Sequence, residues 1–174
     1  MQHPVYLIVA VDKNMGIGKD GRLPWHFSVE MKYFKELTSK TKDMSNLNMV
    51  IMGRNTWESL PEKYRPLPGR KNIVLTANHH YEVVGGAEIC ASLEEALSTA
   101  DEDIEQIFII GGAKVFESAL SNPHVKGIYL TKINENYDCD TFFPDMPKYF
   151  GPKILIHSEE ENSIKLEYYL YKRD

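Results

Sequence analysis

Glu30 stands between Val29 and Met31, with Phe27 and Phe34 close by in the chain and Trp25 five residues before it. An acid among apolar neighbours in the first turn of a helix is desolvated if that face lines a cleft, and its pKa then rises. Ionised, it could accept paired hydrogen bonds from an amidine-like edge and hold a ring that is cationic or gaining a proton. The same residue fits equally well an acid that the helix N-terminus favours and that faces water. Local sequence leaves both readings open.

Two junctions suit a phosphate-bearing ligand. Ile107–Gly112 reads IFIIGG, an apolar strand ending in a double glycine with a helical segment directly after it. Residues without Cβ let backbone approach a flat ring or a diphosphate, and the N–H groups opening the next helix attract negative charge. A tight packing turn with no ligand gives the same letters. Gly53, Arg54, Asn55 and Thr56 repeat the arrangement after Met49–Met52, now with a cation and a hydroxyl. Two such junctions in one small α/β domain suggest a nucleotide laid across the C-terminal edges of the strands. In Leu67-Pro68-Gly69-Arg70 a guanidinium follows a Pro-Gly turn and could clamp a carboxylate through paired hydrogen bonds, although a solvated turn is equally compatible.

One motif is refused. Gly16, Gly18 and Gly21 match G-x-G-x-x-G, but Arg22-Leu23-Pro24-Trp25 follows where a dinucleotide fold needs a helix, and Pro24 falls in its interior. A mobile glycine-hinged loop beside the active site is the reading kept.

The elements that must hold these residues are alternating strands and helices. Val5–Val11, Met49–Met52, Asn72–Thr76, Ile107–Ile110 and Gly127–Thr131 are apolar, β-branched runs of the kind buried on both faces of a sheet. Ser28–Leu37 and Ala113–Leu120 carry apolar residues at helical spacing, and Ser92 lies three residues before Glu95 as a capping box. Lys153–His157 and Lys165–Tyr171, joined through Glu159–Ser163, read as an antiparallel hairpin at the sheet edge. Asn14–Trp25, Pro61–Gly69 and Asn134–Tyr149 are irregular and long enough to be functional loops. The expected fold is a three-layer α/β domain with a mostly parallel sheet.

Composition limits the remaining choices. At 174 residues and 43% apolar content, residues 1–174 form one domain with no length for a fused second enzyme. A formal charge of -5 argues against nucleic acid as the main partner. Cys90 and Cys139 lack metal-ligand spacing and read as two idle thiols, with a single long-range disulfide as the alternative. Met1–Pro4 carry no basic leader, and the apolar run that follows ends at Asp12, too soon for a membrane span. A cytoplasmic protein with no bound metal is expected.

Taken in order, IGKDGRLPW, the acid five residues after Trp25, VIMGRNTWESL, LPGR, IIGG and DTFFPD resemble the dihydrofolate reductase family along essentially the whole chain. The resemblance implies an eight-stranded sheet, mostly parallel, with an antiparallel C-terminal edge. It implies hydride transfer from NADPH to C6 of 7,8-dihydrofolate with protonation at N5, giving tetrahydrofolate. Glu30 resembles the pocket carboxylate, Thr141 the threonine that orients it, and Trp25 the tryptophan that steadies an ordered water. Leu23 belongs to the loop that seals the nicotinamide side. Ile8, Ala10, Met31, Phe34, Leu60, Leu67 and Ile110 match the lining of the pterin and benzoyl groups, and Arg70 matches the clamp on the glutamate tail.

For the cofactor, the resemblance assigns backbone of Ala10 and Ile17, with Gly18, to the carboxamide, and Gly111 and Gly112, as a cis link, to the diphosphate with Ala113, Lys114 and Val115. Gly53, Arg54, Asn55 and Thr56 add phosphate contacts, Arg54 toward the 2′-phosphate. Thr76 and Ala77 stand at the adenosine end, where other members carry arginines. Phe116 replaces a tyrosine near the nicotinamide. Antifolate inhibitors and a monomeric state are expected. A reductase of ribosylated pyrimidines would keep the nucleotide cradle but lack the pairing of Glu30 with Arg70, and a non-enzymatic binding protein would call for a basic aromatic surface.

Overall fold

The computed structural model describes residues 3–174; Met1 and Gln2, part of the N-terminal stretch read for a leader, lie outside them. The chain runs β1 (Val5–Val11), β2 (Gly16–Gly18), α1 (Ser28–Ser39), β3 (Leu47–Gly53), α2 (Arg54–Ser59), a 3₁₀ turn (Glu62–Tyr64), β4 (Arg70–Leu75) and β5 (Glu88–Cys90). It continues through α3 (Leu93–Ser98), β6 (Ile104–Ile109), α4 (Ala113–Leu120), β7 (Val125–Ile133), β8 (Thr141–Phe142), β9 (Phe150–Glu161) and β10 (Ile164–Arg173). Eight strands form one sheet in the order β5-β4-β3-β6-β1-β7-β10-β9, with β2 and β8 as a separate pair. Every neighbouring pair from β5 to β7 is parallel, and β10 runs antiparallel to both β7 and β9.

The continuous apolar runs are explained by burial on both sides. On one face Leu7, Met49, Ile51, Ile107 and Ile109 pack with Leu93 and Ala96 of α3 and with Phe116, Ala119 and Leu120 of α4. On the other, Ile8, Val50, Met52 and Phe108 pack with Phe34 and Leu37 of α1 and Trp57 of α2. Successive residues of one strand serve opposite layers, as the two-residue strand period requires. This is the expected three-layer α/β domain. The Ser92 cap is present, its hydroxyl accepting from Glu95 N–H at 3.1 Å.

Three local features differ from the sequence reading. Glu88–Cys90 is an edge strand, too short to announce itself. The hairpin strands extend through Glu159–Glu161, and the connection shrinks to Asn162 and Ser163 with φ of 53° and 64°, which is the primed two-residue turn that suits the strand twist. Gly16–Gly18 is paired with Thr141–Phe142, so the glycine loop is tied down at its middle. The refused motif makes a turn, with Lys19 and Arg22 exchanging backbone hydrogen bonds, and no helix begins before Ser28. Cys90 and Cys139 are both free thiols.

Candidate active site

In a parallel sheet the C-terminal strand ends share one edge, and loops leaving that edge build the site. From β1 the chain turns back at Asp12, which is fully buried. Burial would raise its pKa, but N–H groups of Tyr137, Gly16 and Asn14 donate to its carboxylate, the Cys139 thiol adds to them, and the net direction is down. Asp12 therefore pins both active-site loops, and sequence reasoning did not single it out. Gly16 permits the fit: a Cβ there would lie 2.4 Å from Cys139 Cβ.

α1 brings in the acid. Glu30 lies in its first turn, on a partly buried face. Burial pushes its carboxyl up from the ordinary 4.5 to about 7. Tyr33, one turn on, is raised to about 12 by burial, by Tyr129 and by Glu30 itself. Tyr168 of β10 is also raised, chiefly by burial and by its 2.7 Å hydrogen bond to Glu159, with Glu30 contributing. Of the two readings left open for Glu30, its desolvation favours the apolar one over an acid facing water.

Thr141 is not the partner of this acid. It is exposed on β8, and its hydroxyl donates to Asp140 at 2.9 Å, because the DTFFPD segment pairs with the glycine loop. A buried hydroxyl on the side of the sheet that α1 covers belongs to Thr131, which is 2% exposed. On β7 it sits opposite Ala10 of β1 and Tyr168 of β10, so the three side chains share the face on which Trp25, Phe27, Val29 and Tyr33 pack. A lone threonine in the apolar run GIYLTKI was the signal available.

Arg70 lies at the other end of the same helix. Its guanidinium donates to the Thr38 hydroxyl and to the Pro68 carbonyl, both at 2.9 Å. Thr38 is eight residues beyond Glu30, ~12 Å along an α-helix and about 80° round it. Between them Ile8, Phe34, Leu60, Leu67 and Ile110 join one apolar cluster. Ala10 packs instead with the Trp25 group, while Met31 is 48% and Leu23 60% exposed. The result is an apolar trough with an acid at one end and a guanidinium at the other.

The two glycine junctions meet because β3 and β6 are neighbours. Gly53 N–H donates to Gly111 O at 2.8 Å, and the Gly111–Gly112 peptide is cis. Thr56 Oγ1 would lie 3.6 Å from a Cβ on either residue of that pair, so a side chain there would occupy the space beside the hydroxyl. The first-turn N–H groups of α4, from Ala113, Lys114 and Val115, have no acceptor within the helix. This donor set, with the exposed Lys114 ammonium, fits a diphosphate.

Also at this end, half-exposed Arg54 hydrogen-bonds Glu58 at 2.9 Å and lies over the Tyr81 ring, because α2 puts the two charges four residues apart on one face; so exposed a pair is weak and leaves the guanidinium able to meet an anion. Phe116 is 2% exposed beneath the glycines, 5.2 Å from the Phe143 ring, and supports the cradle from the core. Asn55 and Ala77 are exposed; the Thr76 hydroxyl accepts from Asn78 N–H at 3.1 Å. Ile17 packs on the core from β2, and Gly18 pairs with Thr141. Leu75, Ala91, Ser92, Lys114, Val115 and Ser118 line a shallow hollow of about 300 Å³ beside the N-terminus of α4. A second hollow, of about 480 Å³, lies beside Lys114, Phe142 and Tyr149. Neither contains Glu30 or Arg70; the converging polar groups mark the site better than cavity depth.

The family model for dihydrofolate reductase matches residues 4–173. The chain belongs to the dihydrofolate reductase family. It is 42% identical to the dihydrofolate reductase of Drosophila melanogaster over 175 residues, covering 96% of each chain. It is 41% identical to that of Heliothis virescens over 177 residues, again 96% of each. The bifunctional dihydrofolate reductase-thymidylate synthase of Glycine max is 39% identical over 181 residues, which is 99% of this chain but 34% of the soybean protein. The chain thus spans about a third of the length of such bifunctional relatives and nearly all of the insect ones.

Proposed function

We propose that this chain reduces 7,8-dihydrofolate to tetrahydrofolate with NADPH. The bound cofactor supplies the hydride from its nicotinamide C4 to C6 of the pterin, and N5 takes a proton. The observation that carries the reading is the trough itself: one acid with a pKa of about 7, an apolar wall, and Arg70 bonded to Thr38, which lies ~12 Å beyond Glu30 along α1. That is the layout for a flat heterocycle joined through an aromatic spacer to a carboxylate.

Glu30 grips the amidine-like edge of the ring. With a pKa near the working pH it exists in both protonation states, so it can favour protonation at N5 through the ring and an ordered water. Trp25 Nε1 is buried with no protein acceptor, and a buried indole donor is satisfied by such a water or by the substrate. Thr131 lends its hydroxyl to the same wall. Arg70 takes the tail carboxylate and already holds Thr38, which limits its swing. Lys114, Thr56 and the α4 N-terminus hold the diphosphate, and the Asp12-pinned loop carrying Ile17 and Leu23 excludes water from the nicotinamide side. Arg54, exposed and held only weakly by Glu58, serves the 2′-phosphate end together with Thr76 and Lys114. Diaminopyrimidine-type inhibitors would compete at Glu30. The chain acts as a cytoplasmic monomer.

The test is NADPH oxidation by purified protein with and without dihydrofolate, followed by absorbance and run in parallel with NADH. Dihydrofolate-dependent loss of absorbance is expected, faster with NADPH. Its absence in folded protein with fresh substrate would sink the assignment.

A further inference from the structure

The helix that carries Glu30 has no cap of its own. Phe27, at the N-cap position, makes no side-chain cap hydrogen bond, and its ring is held in the core, 3% exposed. The N–H groups of Ser28 and Val29 instead donate to the two carboxylate oxygens of Glu161, at 2.9 and 3.1 Å, across 133 and 132 residues of sequence. Helix N-terminal N–H groups have no acceptor within the helix. Here a carboxylate from the outermost strand of the sheet takes two of them at once, a charge-assisted and geometrically specific arrangement.

We propose that Glu161 is a positioning residue for Glu30: the edge hairpin, through this carboxylate, sets the place and the charge balance of the first turn of α1. The inference rests on the reading of Glu30 given above. Glu161 is the last residue of β9, opposite Ile164 and directly before the Asn162–Ser163 turn, so its position follows from the hairpin rather than from a floppy loop. A second tie lies one turn further along α1. Tyr33 packs on Tyr168 with ring centroids 4.2 Å apart, and Tyr168 donates to Glu159 on the same strand as Glu161 at 2.7 Å. The hairpin therefore grips α1 at its N-terminus and again on the face beneath Glu30.

The charge argument has a sign. The positive end of a helix favours an ionised acid in its first turn. Glu161, already seated on that end, offsets the effect and disfavours a second negative charge at Glu30. Tyr33 on its own helix and Tyr168 on β10 both feel the Glu30 charge; from β9, Glu161 sits on the helix N-terminus, and Glu159, bonded to Tyr168, has His157 at 3.3 Å. Ala10 of β1 and Thr131 of β7 bring no charge. Removing the Glu161 charge therefore moves Glu30 toward the ionised form.

The experiment is single-turnover hydride transfer from NADPH to dihydrofolate across pH, for the parent, Glu161→Gln, Glu161→Ala, Glu160→Gln as a neighbouring exposed control, and Glu30→Gln. Glu161→Ala is expected to slow the step about five- to tenfold, because the first turn of α1 loses its hold and Glu30 leaves its place by a fraction of an ångström. Glu161→Gln retains an acceptor oxygen and should recover most of the rate, yet move the midpoint of the pH profile down by about half a unit. Glu160→Gln should match the parent. Rates and midpoints of both Glu161 variants equal to the parent, with Glu30→Gln slow, would overturn the proposal; so would a lowered melting temperature with unchanged kinetics. An unchanged Glu30→Gln would refute the underlying reading instead. If Glu161→Ala does not fold, the Glu161→Gln midpoint decides.

Discussion

Glu30→Gln should make this protein more stable and less active, and the stability gain should depend on pH. Burial lifts the folded carboxyl from 4.5 to about 7. A group whose folded pKa is raised contributes fully below its unfolded value, and that contribution disappears as pH climbs through the folded value. At about 1.36 kcal/mol per pH unit, the gap between 4.5 and about 7 bounds the cost of ionising Glu30 in place at ~3 kcal/mol. Linkage puts that cost at roughly 0.8 kcal/mol at pH 5 and near its limit by pH 8. Glutamine keeps the shape without the ionisation. Urea titrations of parent and variant should thus give similar midpoints at pH 4 and diverge steadily to pH 8. With a slope of roughly 2 kcal/mol per M for a chain of this size, the divergence reaches about 1–2 M of urea. A midpoint difference that stays flat from pH 4 to 8 would refute the claim that Glu30 is desolvated. Hydride transfer by the same variant should fall most at neutral and higher pH, where proton supply limits the step.

Three further outcomes are expected. Arg70→Met should raise KM for dihydrofolate about 10- to 100-fold with kcat little changed, since the guanidinium binds the tail in ground and transition states alike; a pterin lacking the glutamate tail should not distinguish variant from parent. Gly16→Ala should destabilise the fold by about 1–3 kcal/mol in urea unfolding, and Cys139→Ala should not rescue it, because the clash at 2.4 Å is with Cβ. Asp12→Asn should cost about 2 kcal/mol of stability at pH 7 through weakened N–H contacts, with the deficit shrinking as pH drops through the lowered Asp12 pKa; equal deficits at pH 2.5 and 7 would argue that the charge is irrelevant.

Much of the architecture was legible in the chain because its cause is local. Val5–Val11 and Ile107–Ile110 are apolar at every position, and only a strand covered on both sides uses such a run. Ser92 announces α3 through its spacing from Glu95, and Pro24 excludes a helix at the glycine loop. Residue type alone marked Glu30, Arg70 and the double glycine as chemically unusual. What the sequence could not contain is which distant segment each of them meets. Thr141 looked like the partner of Glu30, yet strand register delivers Thr131 to that face and pairs Thr141 with Gly18. Arg54 read as a cation for the phosphate end; that it also pairs with Glu58 and covers Tyr81 shows only in the folded chain. Glu161 sat in a run of three acids that read as part of the hairpin connection; only the two-residue turn and the closing of β9 on β10 carry it to the N-terminus of α1. Periodicity is a property of neighbours in sequence, whereas hydrogen-bond partners more than a hundred residues apart are decided by sheet order and register, and those exist only once the chain has folded.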